Sequence, residues 1–220
     1  MIYNNFKSIS YSLKGVNKGQ NEDNYLTIEG QGYNVYAIFD GVGSAKNSRK
    51  ATELAKAFIT DKHHLYLRQQ THLNELMNAC NQYILATKTA EPYTTYCAAV
   101  TRGDETKSIV LSSLGDSRIY LVSKQFIEQI TTDDKLEYAN IVTKCLGMSD
   151  LHKDDFRQNT IRITDENLLL CTDGFYQFLE EDRMRFFHIL NKKNINSIKE
   201  ELVSLVADKN KDDATFVLIR

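Results

Sequence analysis

Four short apolar runs in this chain each meet an aspartate beside a tight turn, and that arrangement limits what it can fold into. They are Tyr36-Ala37-Ile38-Phe39-Asp40-Gly41, Ser113-Leu114-Gly115-Asp116-Ser117-Arg118, Leu168-Leu169-Leu170-Cys171-Thr172-Asp173-Gly174 and Lys211-Asp212-Asp213-Ala214-Thr215-Phe216-Val217-Leu218-Ile219. A fifth acidic piece, Asn21-Glu22-Asp23, lies near the N-terminus. Runs of this length bounded by turn residues read as strands. Carboxylates collected at strand ends repel one another unless a cation sits among them. Oxygen ligands without Cys or His favour Mg²⁺ or Mn²⁺ over Zn²⁺. One Asp-Gly after an apolar run is an ordinary turn signal; several together point to a multi-metal hydrolytic site.

Between the strands lie amphipathic helices. Ala51, Leu54, Ala55, Phe58 and Ile59 fall on one helical face, and Leu73, Leu76, Met77, Cys80 and Ile84 on another. Ile198, Leu202, Leu205 and Val206 mark a third helix, and the aromatic stretch from Phe175 to Leu190 contains one more. These stripes are core packing and call for no cofactor. Strands are expected over 33–39, 108–114, 168–171 and 215–219. Arg118–Val122 is expected to return antiparallel to 108–114 across the Gly115-Asp116 turn. The alternation suggests α+β layering, and pattern alone leaves open a pair of stacked sheets or one helix-backed sheet.

At 220 residues the chain fits one large domain. A formal charge of −2 gives no electrostatic footprint for nucleic acid or an anionic membrane. Four cysteines lie far apart with no Cys-x-x-Cys pair, which reads as a reduced, cytoplasmic setting. The first residues lack the pattern of a signal peptide, and no stretch approaches the ~18 apolar residues of a membrane helix. His63-His64 has no obvious carboxylate partner and reads as helix surface. No phosphate-binding Gly-Lys loop, no cysteine-based phosphatase pattern and no Ser-His-Asp arrangement is present.

Taken in order, Lys18 with Asn21-Glu22-Asp23, Phe39-Asp40-Gly41-Val42-Gly43, Thr94-Thr95, Gly115-Asp116-Ser117-Arg118, Thr143-Lys144-Cys145-Leu146-Gly147, Cys171-Thr172-Asp173-Gly174 and Asp212-Asp213-Ala214-Thr215 resemble the metal-dependent type 2C protein phosphatases. The resemblance runs from about residue 10 to the C-terminus and is closest to compact bacterial members. It implies a single catalytic domain over 1–220, built as a four-layer α-β-β-α sandwich of two stacked antiparallel sheets flanked by helices. It implies hydrolysis of phosphoserine and phosphothreonine in proteins by a hydroxide bridging two Mn²⁺ or Mg²⁺ ions.

In that reading Asp40 bridges the ions, the Gly41 carbonyl serves one of them, and Asp173 and Asp212 complete the other. Asp116 matches the residue that in bacterial members holds a third, weaker ion, although it also suits a turn cap. Glu22 and Asp23 look like the outer pair that holds metal-bound waters, with Asp213 beside them. Lys18 stands where an arginine usually grips the substrate phosphate, and lysine lacks the arginine fork. Arg118 is expected to be structural, pairing with a nearby carboxylate.

Four departures from the family pattern stand out. Val42 replaces a histidine proposed as general acid in animal and plant members. Asp213 replaces a common asparagine, and Tyr93 a usual glycine. The flap that shapes the substrate groove is cut short, over about 123–142. The partners implied are phosphorylated proteins, with a Ser/Thr kinase in opposition and the enzyme a monomer. Against the enzyme stand a pseudophosphatase scaffold and a plain cation-binding module. Retention of Asp40, Asp173 and Asp212 argues against the first, and the ordered motifs against the second.

Overall fold

The strand Tyr33–Gly41 has no polar face. Val35, Ala37 and Phe39 point to one side and Tyr36 and Ile38 to the other, and all are buried. Such a strand must lie between two covering layers. The computed structural model describes residues 6–103, 107–136, 138 and 141–220. Numbered in chain order, its strands are β1 (Ser8–Leu13), β2 (Asn24–Glu29), β3 (Tyr33–Gly41), β4 (Thr94–Arg102), β5 (Ser108–Leu114), β6 (Arg118–Val122), β7 (Ile127–Gln129), β8 (Asn159–Arg162), β9 (Asn167–Cys171) and β10 (Ala214–Ile219). They form two antiparallel sheets, ordered β2-β3-β4-β5-β8 and β1-β10-β9-β6-β7.

Alternation along the central strands divides the core into three layers. Tyr36, Ile38, Cys97, Ala99, Leu168, Leu170, Val217 and Ile219 meet between the sheets. The opposite faces of β3 and β4 pack on helices α1 (Ser48–Leu67) and α2 (Leu73–Ala86). Those of β9 and β10 pack on α3 (Asp173–Glu181), α4 (Arg183–Leu190) and α5 (Ile195–Val206). The four-layer α-β-β-α sandwich implied by the family resemblance is the architecture found. All four cysteines are buried and free. Among the described residues no helix is long and apolar enough to cross a membrane.

Two elements differ from expectation. The stretch from Phe175 to Leu190 holds two helices, because Asp182 leaves helical geometry (φ −138°, ψ 62°) and caps the second by accepting a hydrogen bond from the Arg185 N–H. Strand β6 does not return beside β5. It pairs with β9 and β7 in the other sheet, while β5 takes β8 as its outer neighbour. The turn between β5 and β6 therefore carries the chain from one sheet to the other. The physical reason lies in β6 itself: Ile119 faces the inter-sheet layer while Tyr120 and Val122 face the helices, so both faces need cover. Gly115 makes the crossing, with φ at +98° and space for no side chain, since a Cβ there would lie 2.5 Å from that of Thr95.

Candidate active site

Four segments distant in sequence converge at one end of the sandwich, and each brings an aspartate. Asp40 is fixed near the end of β3, where it pairs with Thr95 and where the Thr94 hydroxyl donates to its carbonyl at 2.8 Å. Asp116 follows Gly115 in the crossing turn. Asp173 opens α3, where Gly174 lets the helix start close against the chain: a Cβ at Gly174 would lie 2.1 Å from the Asp213 carbonyl oxygen. Asp212 lies in the loop leading to β10. These four carboxylates and Gly41 line one cleft of about 330 Å³, with Val42, Ile141 and Val142 as apolar walls.

Burial and mutual repulsion make the cleft costly to ionise. Asp40 is pushed well above the ordinary carboxylate range, first by burial and then by the charges of Asp23, Asp173, Asp116 and Asp212. Burial, with Asp116 and Asp212, raises Asp173 to about 6, against the opposing Gly174 N–H and Lys18. Asp116 is raised chiefly by burial, and Lys135 works the other way.

The remaining expected residues do not line the cleft. Asp213 is buried: one carboxylate oxygen accepts the Gly15 N–H at 2.7 Å and the other the Glu22 N–H at 2.8 Å. Glu22 accepts the Ser48 hydroxyl at 2.8 Å, and its carbonyl accepts the Thr52 hydroxyl at 3.0 Å. Asp23 accepts the Thr172 hydroxyl at 2.9 Å. Burial lifts Asp23 to about 7 despite the Thr215 and Thr172 hydroxyls that favour its ionised form. The three acids thus bind the 15–23 loop to α1, to the start of α3 and to the start of β10.

Lys18 sits on that loop, 3.7 Å from Glu22 and 3.6 Å from Asp213, with its ammonium on the Asp212 carboxylate. Burial disfavours its charge, but the hydrogen bond to Asp212 and the charges of Asp212, Asp213 and Asp40 outweigh burial and raise its pKa. In this structure the lysine expected to grip phosphate is paired with a cleft carboxylate. His63, away from the cleft, stands 2.8 Å through Nδ1 from the Tyr33 hydroxyl.

Sequence reasoning passed over Asp133, Asp134 and Lys135, which stand beside the Asp116 turn. Asp133-Asp134 is an acidic pair of the same form as Asp212-Asp213, the one signal that could have drawn notice. Ser48 and Thr172, the hydroxyls that hold Glu22 and Asp23, carry no local signal.

The sequence model of protein phosphatase 2C matches residues 16–207, and the chain belongs to that family. The chain is 24% identical over 238 aligned residues to the serine/threonine phosphatase stp of Listeria monocytogenes serotype 4b (strain F2365), covering 94% of this chain and 92% of that protein. Among solved structures, a bacterial serine phosphatase superposes with a TM-score of 0.82 at 23% identity over 97% of each chain. The serine/threonine phosphatase Stp1 from Staphylococcus aureus gives 0.79 at 22% identity, over 97% of this chain and 94% of that one. These structures share the fold described above.

Proposed function

We propose that this protein is a Mn²⁺- or Mg²⁺-dependent phosphatase acting on phosphoserine and phosphothreonine side chains of proteins. The observation that carries the reading is the meeting of Asp40, Asp116, Asp173 and Asp212 in one cleft, with burial and like charge opposing the ionisation of three of them. An all-oxygen donor set of this kind fits a hard divalent cation. Among the described residues no group of three or more His, Cys, Asp or Glu side chains is disposed to hold an ion on its own. Mg²⁺-type sites need only one or two carboxylates per ion and keep waters for the rest, so the residues fit.

Two ions would be held by Asp40, the Gly41 carbonyl, Asp173 and Asp212, and a weaker third by Asp116. Bound there, such ions activate water and neutralise charge on the phosphoryl group. Ser48 and Thr172 hold Glu22 and Asp23 in fixed orientations behind the cleft, where the two acids would anchor waters on bound ions. Asp213 fixes the backbone of the loop that carries Lys18. With the Asp212 carboxylate engaged by an ion, the Lys18 ammonium would be available to a phosphate oxygen at the cleft edge. Val42 offers no proton, so the leaving serine or threonine oxygen takes its proton from water.

The catalytic unit is read as one domain over 1–220 with a flap shortened over about 123–142, working as a monomer in the cytoplasm against a Ser/Thr kinase. A scaffold without turnover is not favoured, because Asp40, Asp173 and Asp212 are all in place at the cleft. The test is hydrolysis of p-nitrophenyl phosphate and a phosphothreonine peptide with Mn²⁺ and after EDTA. Metal-dependent phosphate release from the peptide is expected. Mn²⁺ binding without turnover would replace this reading with the scaffold.

A further inference from the structure

Ile141 and Val142, two walls of the cleft, belong to a narrow ribbon. Lys135 bridges to Val142, the Leu136 N–H donates to the Ile141 carbonyl at 3.0 Å, and the Thr143 N–H donates to the Asp134 carbonyl at 2.8 Å. Two consecutive aspartates hold its base. Asp134 accepts the Gly115 N–H through its carboxylate at 3.1 Å, and its own N–H donates to the Gly115 carbonyl at 2.8 Å. Asp133 receives the guanidinium of Arg118, with Nε 3.1 Å from both oxygens and Nη2 2.8 Å from one.

That guanidinium also reaches α3. Its carbon lies 3.8 Å from the centre of the Tyr176 ring, over the ring face. Nη1 donates to the Tyr120 hydroxyl at 3.1 Å and stands 3.5 Å from Glu180. Tyr120 in turn donates to Glu180 at 2.7 Å. Arg118 follows Asp116 by two residues, and Tyr176 follows Asp173 by three, just under one helical turn. One largely buried side chain therefore joins the ribbon, the Asp116 turn and the helix that begins with Asp173.

We propose that Arg118 is a positioning residue for the phosphatase site, fixing these three parts of the cleft relative to one another. Resting on the function proposed above, the inference names what the arrangement serves: a peptide, which must lie along the ribbon wall. A small aryl phosphate needs only the carboxylate floor. Lysine cannot substitute, because it supplies neither the planar fork that Asp133 receives nor the flat face that covers Tyr176.

The test compares the full chain with Arg118→Lys, Asp133→Asn and the double variant, using a phosphothreonine peptide, p-nitrophenyl phosphate, and Mn²⁺ titrated calorimetrically without substrate. In Arg118→Lys the KM for the peptide should rise about fivefold more than that for the aryl phosphate, since small misplacements of a positioning wall act on the substrate that touches it. The weakest Mn²⁺ site should lose affinity, and the double variant should be no worse than the more impaired single one, as expected for two partners in one contact. With folded protein matched to the parent by circular dichroism, an equal effect on both substrates with no differential rise in the peptide KM would overturn the proposal. If the parent protein hydrolyses neither substrate, the phosphatase reading fails by itself. The Mn²⁺ titration then decides on Arg118: superimposable isotherms for parent and Arg118→Lys would refute the positioning role, and a weakened site would uphold it.

Discussion

Replacing Asp213 by asparagine is a one-atom change whose cost can be worked from the structure. Asp213 is 2% exposed, and each of its oxygens accepts a different backbone N–H, from Gly15 at 2.7 Å and from Glu22 at 2.8 Å. Asparagine has one acceptor oxygen, so either orientation of its amide sets an NH₂ against one of these N–H groups. Losing a hydrogen bond to a charged acceptor costs about 2 kcal/mol, and the buried donor left unpaired adds to it. For a chain of this size each kcal/mol lowers Tm by about 2–4 °C, which places the Asp213→Asn variant at least about 4–8 °C below the parent. Asp213→Ala, which loses both acceptors, should fall further. Thermal melts followed by circular dichroism in EDTA isolate the effect from any change in metal affinity. An Asp213→Asn protein melting within about 1 °C of the parent would refute the two-acceptor account, because a difference that small corresponds to under half a kcal/mol.

Three further outcomes follow from the cleft. Asp40→Asn should abolish Mn²⁺-dependent phosphate release, yet melt no lower than the parent in EDTA, because it removes a charge that burial and its neighbours oppose. Retained turnover would exclude Asp40 as a metal ligand. The pH dependence of the metal-free protein has a definite sign. Asp23 and Asp173 are raised to about 7 and about 6, so the native state binds more protons than the unfolded chain. Their contribution to stability is full below the unfolded carboxylate range near pH 4 and is lost as pH rises through 6 to 7. In EDTA, Tm should therefore be higher at pH 5 than at pH 7.5, and saturating Mn²⁺ should restore it at pH 7.5; a flat profile would count against the repulsive cluster. Lys18→Ala should raise KM for phosphopeptide with kcat less affected, and Lys18→Arg should lower KM below the parent value. A kinetically silent Lys18→Ala would remove the lysine from phosphate binding.

The aspartates were legible because strand ends and turns advertise themselves locally. An apolar run followed by Asp-Gly marks both β3 with Asp40 and β9 with Asp173 before any partner is known. Pairing choice was not local. Gly115-Asp116 looks like a hairpin turn, and only the need of Ile119 and Tyr120 for cover on opposite faces sends β6 into the other sheet. Strand β4 escaped notice because its middle, Cys97-Ala98-Ala99, is built of small residues that let two layers approach it, which weakens the hydrophobic signal. The anchoring partners were invisible for the same reason. Arg118 was expected to pair with a carboxylate, and only its partner, Asp133 across a hairpin, was hidden; Glu22 finds Ser48 from a different element. Nothing in the spacing of those residues sets them apart from solvated polar side chains.

Strand β10 lies between β1 and β9, paired with β1 from Ser8↔Ile219 to Leu13↔Ala214. A ribosome makes these two partners about 200 residues apart. Until residue 212 has emerged, β1 has no neighbour in its sheet, the Gly15 and Glu22 amides have no Asp213 to receive them, and the cleft lacks one of its carboxylates. Closing a loop of some 200 residues is also the slowest kind of contact to form. The cleft end of the sandwich therefore waits on the segment from residue 212 onward, so a nascent or prematurely stopped chain can hold both helical layers while its cleft is still short of Asp212.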